Sequence, residues 1–168
     1  MHGYIGLGSN LGDRLQNLKE AVSLLGECPL VVRRCSSVYR SEALDMAEQP
    51  DFFNMAIGLQ TDLPPLSLLE ICLEVERKMG RKRIVAKGPR NIDLDLLLLE
   101  DRILKSDRLI LPHPRMHLRR FVLLPLDEIG AQQMHPVLQK TVHVLLQESK
   151  DFSRVEWYCD ARQVAANI

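Results

Sequence analysis

Eight residues, Ile92-Asp93-Leu94-Asp95-Leu96-Leu97-Leu98-Leu99, constrain this chain more than any other stretch. An apolar run of that length, bounded upstream by the turn pair Gly88-Pro89, has the dimensions of a buried strand. Alternate strand residues share a face, so Asp93 and Asp95 point the same way, roughly 6.5–7 Å apart at Cα. Two carboxylates in an apolar strand are costly unless a cation compensates them. A hard divalent ion on carboxylate oxygens is one compensation. Arginine partners, or a strand end that reaches solvent, are others. The preceding stretch favours the metal. It holds Lys78, Arg81, Lys82, Arg83, Lys87 and Arg90 with no acid among them. A charge run is ordinarily a solvated face. Beside an aspartate pair it has the parts of a polyphosphate site, with guanidinium groups on phosphate oxygens and Mg²⁺ bridging them. A P-loop is excluded, because Gly-x-x-x-x-Gly-Lys-Ser/Thr occurs nowhere in the chain.

The chain's 168 residues suit one domain spanning 1–168. Lysine plus arginine balance aspartate plus glutamate at 22 each, so no overall field directs it to nucleic acid or a membrane surface. No apolar run reaches the length of a transmembrane helix. The chain opens directly into the strand-like Tyr4-Ile5-Gly6-Leu7, without a charged-then-apolar leader. Cys28, Cys35, Cys72 and Cys159 are scattered and form no Cys-x-x-Cys pair, which suggests reduced thiols and a cytoplasmic location.

Residues 2–8 are expected to form a strand, and Gly8-Ser9-Asn10-Leu11-Gly12-Asp13 a turn in which Asn10 or Asp13 caps a helix over 14–26. Leu15, Leu18, Ala21, Val22 and Leu25 give that helix one apolar stripe. Leu30–Arg40 predicts a second strand, residues 41–51 a long polar loop, and Phe52–Thr61 a third strand. Asn54 is polar among Phe52, Phe53, Met55, Ala56 and Ile57. It is either a hydrogen-bonded edge residue or an amide that reads a heterocycle. Pro64-Pro65 starts a helix that Gly80 ends, and the aspartate strand follows. A short strand within 103–111, a proline-bounded helix from Pro136 to Gln147, a closing strand over 152–158 and a frayed tail over 161–168 complete the expectation. His113 and His117 have zinc spacing, but Pro112 and Pro114 hold His113 outside a regular helix. The order strand, helix, strand, strand, helix, strand is that of an α+β, ferredoxin-like (split βαβ) antiparallel sheet with extra C-terminal elements.

Several segments, in order, resemble the 6-hydroxymethyl-7,8-dihydropterin pyrophosphokinase family. They are Gly8-Ser9-Asn10-Leu11-Gly12, Tyr39-Arg40-Ser41, Gln49-Pro50-Asp51-Phe52-Phe53-Asn54, Gly80-Arg81-x-Arg83, Lys87-Gly88-Pro89-Arg90-Asn91-Ile92-Asp93-Leu94-Asp95, and Pro112-His113-Pro114-Arg115-Met116 with Arg119 and Phe121. The resemblance implies transfer of pyrophosphate from ATP to the hydroxymethyl group of a reduced pterin, with release of AMP, in folate biosynthesis. It implies two Mg²⁺ ions on Asp93 and Asp95, and triphosphate contacts from Arg81, Arg83, Arg90, His113 and Arg119, with Arg81 and Arg83 stabilising transition-state charge. It sets Glu76, Arg108, Leu109 and Ile110 near the nucleotide. Gly8, Ser41, Glu42, Leu44, Phe52, Asn54 and Phe121 then form the pterin pocket. The partners are these two small molecules, without nucleic acid or membrane, and a monomer is expected. Two departures stand out. Ser41-Glu42-Ala43-Leu44-Asp45-Met46 lacks the Thr-x-Pro-x-Gly pattern of many members, and Lys87 stands where some carry tryptophan.

Phosphoryl transfer needs positioning and charge neutralisation more than covalent help, which agrees with these residues. An RNA-recognition module of the same fold would need aromatics on its central strands, and aromatics are 5% of this chain. Another Mg²⁺-dependent phosphotransferase would share the same parts and differ in its product. The polar segments 41–51 and 81–87 are expected to close over bound substrates.

Overall fold

A computed structural model describes residues 1–43, 49–80 and 90–165. Strand β1 (His2–Ser9) lies between β4 (Phe52–Gln60) and β5 (Asp93–Leu99), antiparallel to both. The other edge of β4 carries β2 (Val31–Cys35) along one half and β3 (Val38–Ser41) along the other, and β10 (Val155–Cys159) pairs with β3. With helix α1 (Arg14–Gly26) after β1 and α2 (Pro65–Lys78) before β5, this is the ferredoxin-like arrangement that the element order predicts.

The predicted strand 30–40 is interrupted at Ser36-Ser37. There the Ser36 amide donates to Ala56 O and its hydroxyl accepts from Ala56 N, both at 2.9 Å. Side-chain chemistry thus replaces one step of the ladder.

Helices cover both faces. On one, α1 buries Leu18, Ala21, Val22 and Leu25, and α2 buries Leu68, Cys72 and Val75. Asp13 caps α1 by accepting from Gln16 N at 3.0 Å. Pro65 opens α2, where a missing N–H costs nothing, and Gly80 leaves it at φ +75°, the left-handed region that a glycine tolerates. On the other face lie α3 (Arg120–Gly130) and α4 (Val142–Gln147), with Leu123, Leu126, Ile129, Val142 and Leu145 as their buried side.

A bulge in β5 serves both layers. Tyr4 pairs with Leu98 and Ile5 with Leu96, which leaves Leu97 over. Its insertion breaks the alternation. Leu94, Leu96 and Leu99 therefore pack toward α1 and α2, while Leu97 and Leu98 both turn to the α3 side.

The C-terminal third departs most from expectation. Residues 120–130, not assigned to a helix from the sequence, form α3 with Pro125 inside it. The helix expected from Pro136 is a hairpin first, β8 (Met134–His135) with β9 (Lys140–Thr141), and only then α4. Gln139 turns that hairpin at φ +52°, and Thr141 caps α4 through Val144 N. Val137 and Leu138, expected on a buried side, are exposed. The stretch 103–111 is a small hairpin, β6 (Leu104–Lys105) with β7 (Ile110–Leu111). The closing strand starts at Val155, leaving Phe152 89% exposed. The tail is not simply frayed: Val164 and Ala165 join the core beside α1 and α2, and residues 166–168 lie outside the described ones. Among the described residues, no helix is long and apolar enough to cross a membrane.

Candidate active site

The register of three strands builds the floor of a cavity of about 300 Å³ on the α3 face of the sheet. One row across the sheet is Asn54–Gly8–Asp93, and the next is Ala56–Gly6–Asp95. The two aspartates therefore share a face, as the strand period requires, with glycine beside each. Those glycines keep the floor open. A Cβ at Gly8 would stand 3.4 Å from Asn54 Oδ1, and one at Gly6 would stand 3.4 Å from Leu97 Cδ1.

The carboxylates differ in surroundings. Asp93 accepts an ion pair from Arg90 Nη2 at 2.9 Å. Burial, and then repulsion from Asp93, push the pKa of Asp95 up, against the pull of His113, Arg119 and Arg90. His113 is fixed beside Asp95: its amide donates to the carbonyl of the bulged Leu97 at 2.9 Å. Burial lowers the pKa of His113, against the pull of Asp95. Its Nδ1 accepts from Arg115 N at 3.3 Å, so the proton of the neutral ring sits on Nε2 as a donor.

One wall combines aromatic and amide groups. Asn54, 5% exposed, donates to Ser41 Oγ at 2.8 Å, which orients the amide. Phe52 and Phe121 line the same cavity, each with an arginine near its face: Arg90 at 5.6 Å and Arg119 at 5.5 Å from the ring centroid. Phe121 sits on the first turn of α3. That helix is held by Asp151, which accepts from Arg120 N at 2.7 Å, and by Glu128, which accepts from Ser37 N, Ser37 Oγ and Tyr39 OH at 2.9–3.0 Å.

The cavity therefore brings together Gly8, Ser41, Glu42, Phe52, Asn54, Arg90, Asp93, Asp95, Arg119 and Phe121, and His113 adjoins it. Glu76 stands elsewhere. It is 4% exposed and accepts from Leu94 N at 2.8 Å, closing the outer edge of β5. Arg108, Leu109 and Ile110 lie on the β6–β7 hairpin outside this cavity, with Arg108 paired to Glu70 of α2. Arg81, Arg83 and Leu44, and the two closing segments beyond residues 41–43 and 49–51, fall outside the described residues.

Asn10 matters more than its turn position suggested. It is 1% exposed. Its Nδ2 donates to Gln49 Oε1 at 3.0 Å and Pro50 O at 3.4 Å, its Oδ1 accepts from Arg90 N at 2.8 Å, and its own amide donates to Arg90 O at 3.1 Å. One side chain thus ties the approach to Phe52 to the residue that holds Asp93. The only sequence signal for this was its place in Gly-Ser-Asn-Leu-Gly, since an asparagine in a turn is ordinarily explained by the turn. Gln49, Arg115 and Leu118 also line the cavity without having been singled out.

A family model described as 7,8-dihydro-6-hydroxymethylpterin-pyrophosphokinase matches residues 4–131. The chain belongs to that family. The 2-amino-4-hydroxy-6-hydroxymethyldihydropteridine pyrophosphokinase of Bacillus subtilis is 45% identical over 130 residues, covering 77% of this chain and 78% of the relative. The pyrophosphokinase of Aquifex aeolicus is 36% identical over 156 residues, covering 93% and 94%. A crystal structure of Plasmodium falciparum HPPK-DHPS matches with a TM-score of 0.67 at 15% identity, over 88% of this chain and 45% of that one. At that identity the likeness concerns the fold, and this pyrophosphokinase-family chain spans less than half of the longer polypeptide.

Proposed function

We propose that this protein transfers the pyrophosphoryl group of ATP to the hydroxymethyl oxygen of 6-hydroxymethyl-7,8-dihydropterin, in folate biosynthesis. The hydroxyl gives up its proton to solvent as its oxygen bonds to the β-phosphorus, the bond from that phosphorus to the α,β-bridging oxygen breaks, and AMP leaves. One observation carries the reading: a single cavity holds an aspartate pair with arginines at one part and an aromatic-amide slot at another. A flat heterocycle suits the slot, between ring faces and the edge-reading Asn54.

The donor set fits Mg²⁺. Asp93 and Asp95 offer hard oxygen ligands on one face, and among the described residues no third His, Cys, Asp or Glu joins them as a metal cluster. Magnesium suits such a site, because it takes one or two carboxylates and completes its shell with water and substrate phosphates. We assign two ions to the pair, following the family resemblance. When bound, Mg²⁺ neutralises phosphate charge and acidifies a coordinated alcohol.

Arg90 and Arg119 bind and orient the polyphosphate, His113 donates from Nε2, and Phe52, Phe121 and Asn54 hold the pterin. Arg81 and Arg83 are assigned to transition-state charge from their sequence positions. Glu76 and residues 108–110 are assigned to the nucleotide. This reading includes a cytoplasmic monomer acting on two small molecules. Incubation with Mg²⁺-ATP and the pterin tests it. AMP formed in step with a pterin diphosphate is the expected result, whereas ADP, or no nucleotide conversion, would overturn it.

A further inference from the structure

Resting on the pyrophosphoryl-transfer reading, we infer that Arg115 is a further binding residue of the site, contacting the diphosphoryl half of the nucleotide and not its adenosine half. Three observations carry this.

Arg115 lines the same cavity as Asp93, Asp95 and Arg119. Its backbone is fixed on both sides. Its amide donates to His113 Nδ1 at 3.3 Å, its carbonyl accepts from Leu118 N at 3.1 Å, and the next residue, Met116, is fully buried with its amide on His113 O at 3.2 Å. The turn 113–118 is therefore a rigid mount for an exposed side chain.

Among the described residues the head group is uncommitted. Arg40, Arg90 and Arg108 have carboxylate partners, and Arg14 and Arg34 donate to backbone carbonyls. The guanidinium of Arg115 has neither kind of partner among the described residues. A mounted, unpaired guanidinium fork on the wall of an anion site is preorganised for phosphate oxygens, because no internal ion pair must break first.

Location decides which phosphates. The hairpin with Arg108–Ile110, assigned to the nucleotide, does not line this cavity, whereas the pterin-facing Phe52 and Phe121 do, so the hairpin meets the nucleotide's far, adenosine half. The group that moves to the pterin must lie between the two. A cation that shares the pterin's cavity therefore meets the β- and γ-phosphates.

Binding of Mg²⁺-ATP, Mg²⁺-pyrophosphate and AMP to wild type, Arg115→Ala and Arg115→Lys, by calorimetric titration, tests this. A lost charge-assisted contact weakens binding by about ten- to a hundredfold. Arg115→Ala should show that loss for ATP and pyrophosphate and hold AMP within about twofold, with partial recovery in Arg115→Lys by charge alone. In turnover, KM for ATP should rise more than kcat falls. Equal losses for ATP and AMP, or no loss for either, would overturn the assignment of Arg115. Wild-type protein that forms no AMP would instead overturn the transfer reading, so the two failures are distinguishable.

Discussion

Asp95 shows a conflict between stability and chemistry. Its half-buried carboxylate stands next to Asp93, which costs folding free energy, and in the proposed reaction its placement would serve a cation that comes with substrate. Asp95→Asn keeps the shape and removes the charge. Its turnover should fall by roughly a thousandfold or more, since a metal-bridging ligand is worth several kcal/mol in the transition state, while its urea midpoint in metal-free buffer should equal or exceed that of wild type. Asp93→Ala should lose turnover similarly with the fold intact. Near wild-type kcat in either folded variant would remove the pair from the mechanism. Asn10 is the opposite kind of residue, with every polar group used within the protein. Asn10→Ala removes the side-chain acceptor of the Arg90 amide and one donor to Gln49, so it should destabilise by about 2 kcal/mol. Because Arg90 holds Asp93 and Gln49 leads to Phe52, affinity for both ATP and pterin should fall. Loss for one ligand only would show that Asn10 does not join the two sides.

At the scale of elements, α3 depends on a residue far away in sequence. Its N-cap position, Arg119, offers no side-chain acceptor, and Asp151 takes the Arg120 amide instead. Burial raises the pKa of Asp151, but hydrogen bonds from Ser153 and the Arg120 amide outweigh it and leave the carboxyl below its ordinary 3.8. A carboxylate depressed in the folded state stabilises fully above its unfolded value, and the contribution is lost as pH falls through the folded one. Asp151→Ala should therefore cost about 1 kcal/mol at neutral pH, as a lost helix cap does, and the gap from wild type should close as pH drops below 3.8. A gap that persists unchanged into acid would point to packing, not capping. This contact also shows what the sequence could reveal. The α1 stripe, the Pro65 start of α2 and the aspartate strand were legible, because each is written in local period or turn chemistry. Helix α3 was not, since Pro125 interrupts it and its cap lies 31 residues away in sequence. Nor was the 136–147 segment, where Val137 and Leu138 supplied a helical spacing but the chain turns at Gln139 first. The types and order of residues pointed to Phe52, Asn54, Asp93, Asp95 and Phe121, which the fold brings to one cavity, but also to Glu76 and residues 108–110, which it does not. The site's hub at Asn10 was hidden, because a bond between residues 10 and 90 leaves no local pattern.

The whole molecule divides its labour by face. One layer, α1 with α2, shares its core with Val164 and Ala165 from the chain's end and has no residue in the cavity. The other layer supplies Phe121 and Val122 from α3 to the cavity wall, with Leu123 directly behind them in the core. Two matched substitutions separate these roles. Leu25 on α1 and Leu123 on α3 are both fully buried, and truncation of either to alanine removes the same atoms. Each should cost about 2–5 kcal/mol, the range for leucine-to-alanine changes in packed cores. Their effects on binding should differ. In Leu25→Ala the cavity wall is untouched, so the folded fraction should bind pterin as wild type does. In Leu123→Ala the first turn of α3 settles toward the void, because cores relax only in part and carry neighbouring backbone with them. Phe121 then moves relative to Asn54, and pterin affinity should fall by about tenfold, with a smaller change for ATP, whose proposed phosphate contacts rest mainly on the turn at His113 and on Arg90. Urea unfolding together with calorimetric titration of the pterin reads both quantities. Equal pterin affinity in the two variants, at equal loss of stability, would mean that α3 covers the sheet without shaping the site.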